Sequence, residues 1–239
     1  MTKYFDEQKW NEVLKYDDWY LRLADDYKKL MKQAEESSKE ISDKIKEEIY
    51  QFFENRLAKK EIALGNNGPN WDAERKSIDT IVIHHTKNQP GITWQRLSAM
   101  HLIRLYAMHY SNPTENEKDI KGQPIFSHHF SNGEQVFYAY HWLVRMNGEV
   151  ERLLPDTETG WQAGNWEVNC RSVAICLDND FENSRPPAEV IATIVKIIKE
   201  NYNHVEKARI FGHREVNQKT TCPGNLFLSG WKQEVLNQI

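Results

Sequence analysis

No glycine and no proline occurs in the first 64 residues of this 239-residue chain; all 11 glycines and all 8 prolines follow Leu64. With neither residue present, nothing local breaks a helix, so residues 1–64 read as helical and the remainder as a fold with turns. Cysteine is scarce as well. Cys170, Cys176 and Cys222 are too few for a disulfide framework, and Cys170 and Cys176 read as free thiols. There is no basic excess: 31 Lys and Arg stand against 35 Asp and Glu, a net charge of −4. That balance argues against nucleic acid or an anionic membrane surface as a partner. No run of about 18 apolar residues exists, so no membrane-spanning helix is expected. Met1 to Trp10 is interrupted by Lys3, Asp6, Glu7 and Lys9. Lacking an apolar core, it does not read as a secretory signal, and the chain is expected in the cytoplasm at synthesis. Aromatics are plentiful: 8 Trp, 10 Tyr and 9 Phe exclude a generic disordered chain.

Within the first 64 residues, Trp10, Leu14, Leu21, Tyr27, Leu30, Met31 and Ala34 recur at mixed three-, four- and seven-residue spacings. Ile41, Ile45, Ile49, Phe52, Phe53 and Leu57 form a cleaner helical stripe. Ser37-Ser38-Lys39-Glu40 has the form of a capping box, so a second helix is expected to begin there. Asn66-Asn67-Gly68-Pro69 ends the helical part. The expected division is a helical hairpin or coiled coil over 1–64, which packs or self-associates, and a second domain over 65–239.

The second part alternates strand and helix signals. Ile78 to Ile83 is an apolar, β-branched run, hence a buried strand. Trp94 to Tyr110 has helical spacing. Tyr138 to Met146 and Glu149 to Leu154 flank Asn147-Gly148 and read as a tight hairpin. Ser172 to Leu177 is another buried strand, Pro187 to Tyr202 an amphipathic helix, Ala208 to Phe211 a short strand, and Leu226 to Leu236 the closing helix. The pattern predicts an α/β fold, a mixed β-sheet flanked by helices, with an N-terminal α-helical extension.

Three residues carry zinc-ligand chemistry. His84 ends the first strand, His213 ends another after Ile210-Phe211-Gly212, and Cys222 follows nine residues later in Thr221-Cys222-Pro223-Gly224. Two imidazoles and a thiolate suit Zn²⁺, and three protein ligands leave a fourth position, the catalytic rather than the structural pattern. Spacing alone leaves open that these are packed residues, since the chain has nine histidines.

From about Ile78 onward the chain resembles the zinc-dependent N-acetylmuramoyl-L-alanine amidases, which include phage lysins and peptidoglycan recognition proteins. The matching motifs occur in order: His84-His85-Thr86 after a strand, Tyr140-His141-Trp142-Leu143-Val144 before Asn147-Gly148, Gly160-Trp161-Gln162-Ala163-Gly164-Asn165 before Ser172 to Ile175, and Gly212-His213-Arg214-Glu215 leading to Thr221-Cys222-Pro223-Gly224. The resemblance spans about 160 residues and does not cover 1–64. It implies zinc held by His84, His213 and Cys222, and hydrolysis of the amide between N-acetylmuramic acid and L-alanine. The implied partner is peptidoglycan or a muropeptide. Residues 1–64 could then serve as a wall-targeting module.

The resemblance also suggests helpers. Tyr140 matches an active-site tyrosine; its alternative is a strand aromatic in the core. The catalytic residue just before the third ligand is Thr220 by alignment and Lys219 by chemistry, because the His213–Cys222 interval is one residue longer than in the phage enzymes. His85, Trp94, Trp161, Asn165 and Trp166 are candidates for substrate contact, the tryptophans through their stacking faces. The family often has histidine where Gln162 stands. The absence of an export signal fits a phage or prophage lysin released through a holin, or a cytoplasmic muropeptide-recycling amidase; the latter type usually has Asp as third ligand. A recognition module that binds without cutting is the non-enzymatic alternative, and retention of Cys222 weighs against it.

Overall fold

Two strands buried along their whole length organise the part of the chain that carries the motifs. In the computed structural model, which describes residues 4–88 and 97–239, these are β1 (Thr80–His85) and, later in the chain, Ser172–Leu177. Between them lie β2 (Trp142–Val144) and β3 (Val150–Arg152), so Ser172–Leu177 is β4; β5 is Ile210–Gly212. The sheet order is β3-β2-β4-β1-β5. Strands β2, β4, β1 and β5 are parallel, and β3 is antiparallel to β2. The hairpin turns at Asn147-Gly148, where Gly148 takes φ +79° and Arg145 N–H bonds to Glu149 O at 2.8 Å. A mixed sheet with helices on it is the architecture the sequence pattern predicts.

Alternation along the strands divides the sheet into two faces. Ile81, Ile83, Val173, Ile175, Leu177 and Ile210 point to one side. There they bury Val190, Ile191, Ile194 and Ile198 of the helix Ala188–Asn201, with Phe227, Trp231 and Val235 from the C-terminal helical segment. The opposite face therefore receives Val82, His84, Ala174 and Cys176. Strands buried on both faces need this near-continuous apolar run. A polar residue at the strand end is then the exception that calls for an explanation.

The chain forms two compact units. Residues 71–88 and 138–239 make the unit just described; residues 4–70 and 97–137 make the other. The segment 97–137 thus clusters with the N-terminal helices rather than with the sheet. Its helical part runs through Leu97–His101, a π-helical Leu102–Ala107 and Met108–Ser111. Tyr20 ties it down: its hydroxyl donates to Gln123 O at 3.1 Å and accepts from Gly122 N–H at 2.7 Å, and its ring meets Tyr110 edge-on.

The N-terminal segment is three helices, Glu7–Val13, Trp19–Glu36 and Lys39–Ala58, rather than two. The additional break, over residues 14–18, contains neither glycine nor proline, so nothing local announced it. It shifts the apolar register: Trp19, Tyr20 and Leu23 are buried, whereas Leu21, Tyr27 and Met31 are only half-buried. The last helix begins after Ser38, one residue beyond the capping-box register, and the Ser38 side chain makes no cap bond. Trp10, Phe52, Phe53 and Trp19 meet in edge-on and tilted contacts with ring centroids 5.4–5.9 Å apart. Aromatic packing of this kind holds short helices that would not persist alone.

Polar groups are also buried beneath the sheet. The His141 ring accepts from Ala174 N–H at Nδ1 (3.1 Å) and bonds to Glu158 O through Nε2 (3.0 Å). Arg75 reaches the same place, bonding to the carbonyls of Asp156, Asn169 and Ser172. Burial, with the Arg75 charge nearby, pushes the His141 pKa from its ordinary 6.5 down to about 3. The unfolded chain therefore takes up this proton before the folded one does, and stability is lost as pH falls from 6.5 toward 3. Between pH 6.5 and pH 5 the loss from this ring amounts to about 2 kcal/mol. Urea midpoints measured at pH 7 and pH 5 are expected to fall accordingly. A His141→Gln chain, which keeps a donor and an acceptor but has no proton to gain, is expected to show a shallower fall.

Candidate metal centre and active site

The register of the parallel strands assembles the site. Ile83 of β1 pairs with Gly212 of β5, so His84 and His213 leave the sheet side by side at its carboxyl edge. Ligand sites in parallel sheets lie at this edge, where the strands end and loops begin. The two imidazole rings are 4.6 Å apart between centroids. Cys222 comes from the loop after the short helix His213–Val216, and its Sγ lies 3.7 Å from His84 Nδ1. One ligand-type atom from each of His84, His213 and Cys222 falls within 4.8 Å of the others.

The Cys222 loop is held at several points. Arg214 N–H bonds to Cys222 O at 2.8 Å, which folds the loop back on the helix. Thr220 Oγ1 accepts from Cys222 N–H at 3.1 Å, and His85 N–H points at Cys222 Sγ at 3.4 Å. Glu182 accepts from Thr221 Oγ1 at 2.9 Å and from Lys87 at 3.2 Å, while its carbonyl accepts from Asn225 N–H. Gly224 has φ +117°, and a Cβ there would stand 2.0 Å from Phe181 O. No other residue type fits that position.

The chemistry of the three donors suits a cation. His213 Nε2 is buried without a hydrogen-bond partner, while the same ring donates to the Ala163 carbonyl. Since Nε2 makes no bond, the donor is Nδ1. Buried polar atoms are normally paired, so an orphaned ring nitrogen facing a thiol and a second imidazole implies a missing partner. Burial pushes the Cys222 thiol up to about 12 and the His213 ring down. Both groups are thus held neutral by the protein alone. A dication reverses that preference at the thiol and satisfies both ring nitrogens. The residues present fit Zn²⁺, supplying two nitrogens and one sulfur, one short of the four donors it usually takes.

Around the cluster, the Tyr140 ring lies 5.1 Å from that of His84 and is half-buried. Its hydroxyl bonds to the thiol of Cys176, the residue paired with His84 across the sheet. Tyr140 sits in extended chain before β2, not within a strand. Lys219 is exposed on the turn after Asn217, whose side chain accepts from its backbone N–H. The Thr220 hydroxyl is engaged by the Cys222 backbone. The His85 ring is buried, accepts from Phe181 N–H at 2.9 Å, and is kept neutral by burial, with a pKa of about 4. Asn165 is the N-cap of the helix Trp166–Arg171 and accepts from Val168 N–H. Trp161 and Trp166 pack edge-on with Trp71, and Trp166 Nε1 donates to Glu74. Trp94 lies outside the described residues. The three cysteines are free and buried.

One participant escaped the residue pattern. Gln162 contacts His84 directly: its Oε1 is 2.5 Å from His84 Nε2. Its position in the motif Gly160-Trp161-Gln162-Ala163 marks the loop, but nothing in the sequence says where an amide side chain will point.

A search of curated proteins finds no match. Several solved structures are similar. An N-acetylmuramoyl-L-alanine amidase, LysC from Clostridium intestinale URNW, has 19% identity and a TM-score of 0.48, covering 72% of this chain and 89% of that one. The Ph2119 endolysin of a Thermus scotoductus MAT2119 bacteriophage has 20% identity and a TM-score of 0.44, covering 77% and 94%. The Drosophila peptidoglycan recognition protein SD has 23% identity and a TM-score of 0.40, covering 68% and 83%. The family model Amidase_2, N-acetylmuramoyl-L-alanine amidase, matches residues 74–225, a stretch that holds β1, the loop at Gln162 and all three converging donors. By that match the chain belongs to the N-acetylmuramoyl-L-alanine amidase family.

Proposed function

We propose that this protein is a zinc-dependent N-acetylmuramoyl-L-alanine amidase acting on peptidoglycan, of the phage or prophage lysin type. The observation that carries the reading is the convergence of His84, His213 and Cys222 within 4.8 Å at the carboxyl edge of a parallel sheet. Family membership over 74–225 supports the substrate class, a muramoyl–peptide amide. Cysteine rather than aspartate at position 222 supports the lysin type over a recycling enzyme. It also supports an enzyme over a binding-only recognition module. Among the described residues no helix is long and apolar enough to cross a membrane.

In this reading His84, His213 and Cys222 hold the metal. A zinc ion held there would supply Lewis acidity toward the scissile carbonyl and toward a water molecule. Tyr140, its ring against His84 and its hydroxyl bonded to Cys176, is the group that would orient water or stabilise charge on the carbonyl oxygen. Thr220 acts on the third ligand by fixing the Cys222 backbone. Lys219, exposed on the adjoining turn, is the alternative helper, a source of positive charge for the oxyanion. The His85 ring anchors Phe181 and, with Glu182, the far side of the Cys222 loop. Trp161 and Trp166, half-buried beside Asn165, offer ring edges to the sugar or stem peptide.

Metal content of the purified protein, paired with peptide release from purified peptidoglycan before and after chelation, tests the reading. About one zinc per chain and chelator-sensitive release, recovered on adding zinc, are the expected results. Zinc without release would instead leave a recognition module, and no zinc uptake at all would remove the reading. The Cys222→Ala chain is expected to lose hydrolysis and most bound zinc, as measured by elemental analysis. Tyr140→Phe is expected to fold normally, keep its zinc and lose more than tenfold in turnover, about 1.4 kcal/mol or more of transition-state stabilisation; an unchanged rate would return Tyr140 to a packing role.

A further inference from the structure

The loop Gly160–Gly164 touches both histidines of the cluster, and it does so through different atoms. The Gln162 side chain is buried, its Oε1 2.5 Å from His84 Nε2 and its Nε2 2.8 Å from Ser172 Oγ. Ser172 opens β4 and is wholly buried, on the sheet face that carries Ala174 and Cys176. The amide is thus held at both ends, with its carbonyl oxygen aimed at the ring. One residue further on, the Ala163 carbonyl accepts from the His213 ring. The loop is itself fixed: Asn169 Oδ1, buried on the helix Trp166–Arg171, accepts from Gln162 N–H (3.2 Å) and Ala163 N–H (2.8 Å). At Gly160 a Cβ would stand 2.2 Å from Ala139 O, so the chain enters the loop pressed against its neighbour.

An imidazole with one nitrogen protonated presents the other as a lone-pair donor, and the partner of the N–H decides which is which. We propose that this loop sets opposite tautomers in the two rings: Gln162 keeps the proton of His84 on Nε2, and the Ala163 carbonyl keeps that of His213 on Nδ1. His84 then offers Nδ1, 3.7 Å from Cys222 Sγ, and His213 offers Nε2. Gln162 is a positioning residue, acting on the metal through His84, and Asn169 positions it in turn. A neutral amide does this without adding charge. A carboxylate at the same place would make the ring more basic, and an apolar residue would leave the ring free to turn. The inference rests on His84 and His213 being metal ligands, but the tautomers themselves belong to the metal-free chain.

The experiment has two arms, both on the full chain. In metal-free, ¹⁵N-labelled protein, long-range ¹H–¹⁵N correlation, assigned with single histidine substitutions, is expected to show His84 protonated on Nε2 and His213 on Nδ1. Protonation of His84 on Nδ1 overturns the proposal. In the second arm zinc affinity is read by competition with a chromogenic chelator. Gln162→Met keeps the length and removes the acceptor, and is expected to bind zinc about 10- to 100-fold more weakly. Gln162→Glu retains an acceptor and is expected to stay within a few-fold of wild type. Circular dichroism and the thermal midpoint of the metal-free chains report folding. If Gln162→Met does not fold, Ser172→Ala, which frees the far end of the amide, takes its place with a several-fold loss expected. Wild-type protein that takes up zinc while these variants bind it equally well overturns the clamp and leaves the metal site standing. Wild-type protein that takes up no zinc removes the metal-site reading, whatever the tautomers show.

Discussion

The pairing of β1 with β5 is the constraint on which the rest of the site depends. Ile83 opposite Gly212 puts His84 and His213 at the same height on neighbouring strands. A slip of one residue would turn His84 into the apolar layer and bring Ile83 or His85 to the site. Two features prevent that slip. Ile81, Ile83 and Ile210 are locked into one core with the helix Ala188–Asn201. Gly212 is crowded, because a Cβ there would approach the Phe227 ring to 2.6 Å and Pro223 Cδ to 2.7 Å. Pro223 follows Cys222 directly. The same contact that seats the strand end therefore also seats the third donor, so the three side chains come together as a consequence of core packing.

Electrostatically, the protein supplies the cluster with little charge. Burial works against ionisation at Cys222, Cys176, His85 and His213 alike. Lys87 and Glu182 pair with each other on the far side of the Cys222 loop. A further polar network, Arg75 with His141 and the carbonyls of Asp156, Asn169 and Ser172, is engaged in supporting loops and strand ends. A neutral, buried donor set of this kind is costly only while its lone pairs face nothing, and a dication changes that balance more than any side chain could.

How much of this could be read from sequence depended on how local the signal is. The β-branched runs at 78–83 and 172–177 and the Asn147-Gly148 turn are local, and the strands and hairpin follow them within a few residues. His84, His213 and Cys222 stand out because each ends an apolar run or adjoins Gly or Pro, which places them at strand ends and in tight loops. The break over residues 14–18 left no trace, because its turn, Leu14 to Asp18, uses neither glycine nor proline. Nor did sequence order reveal that 97–137 packs with the first helices, since that association rests on Tyr20 and contacts about a hundred residues apart. At Thr220 the family resemblance marks a position, and only the fold shows its hydroxyl accepting from the Cys222 backbone.

Gln162 shows why a second layer of residues resists such reading while still being tightly specified. Its neighbours on either side carry unrelated duties. Trp161 sends its ring into the aromatic group with Trp71 and Trp166, at 4.9 and 6.4 Å between centroids, and Ala163 offers its carbonyl to His213. The chain turns tightly at Trp161, Gln162 N–H bonding back to Gly160 O at 3.0 Å, and with Trp161 anchored in that aromatic group the Gln162 side chain faces the site. Asn169 then closes the loop from below by accepting two consecutive backbone N–H groups. Each contact is ordinary when taken singly. Together they leave the amide of Gln162 one place to be, between Ser172 and His84, so the His84 ring is held in one orientation before any ligand reaches it.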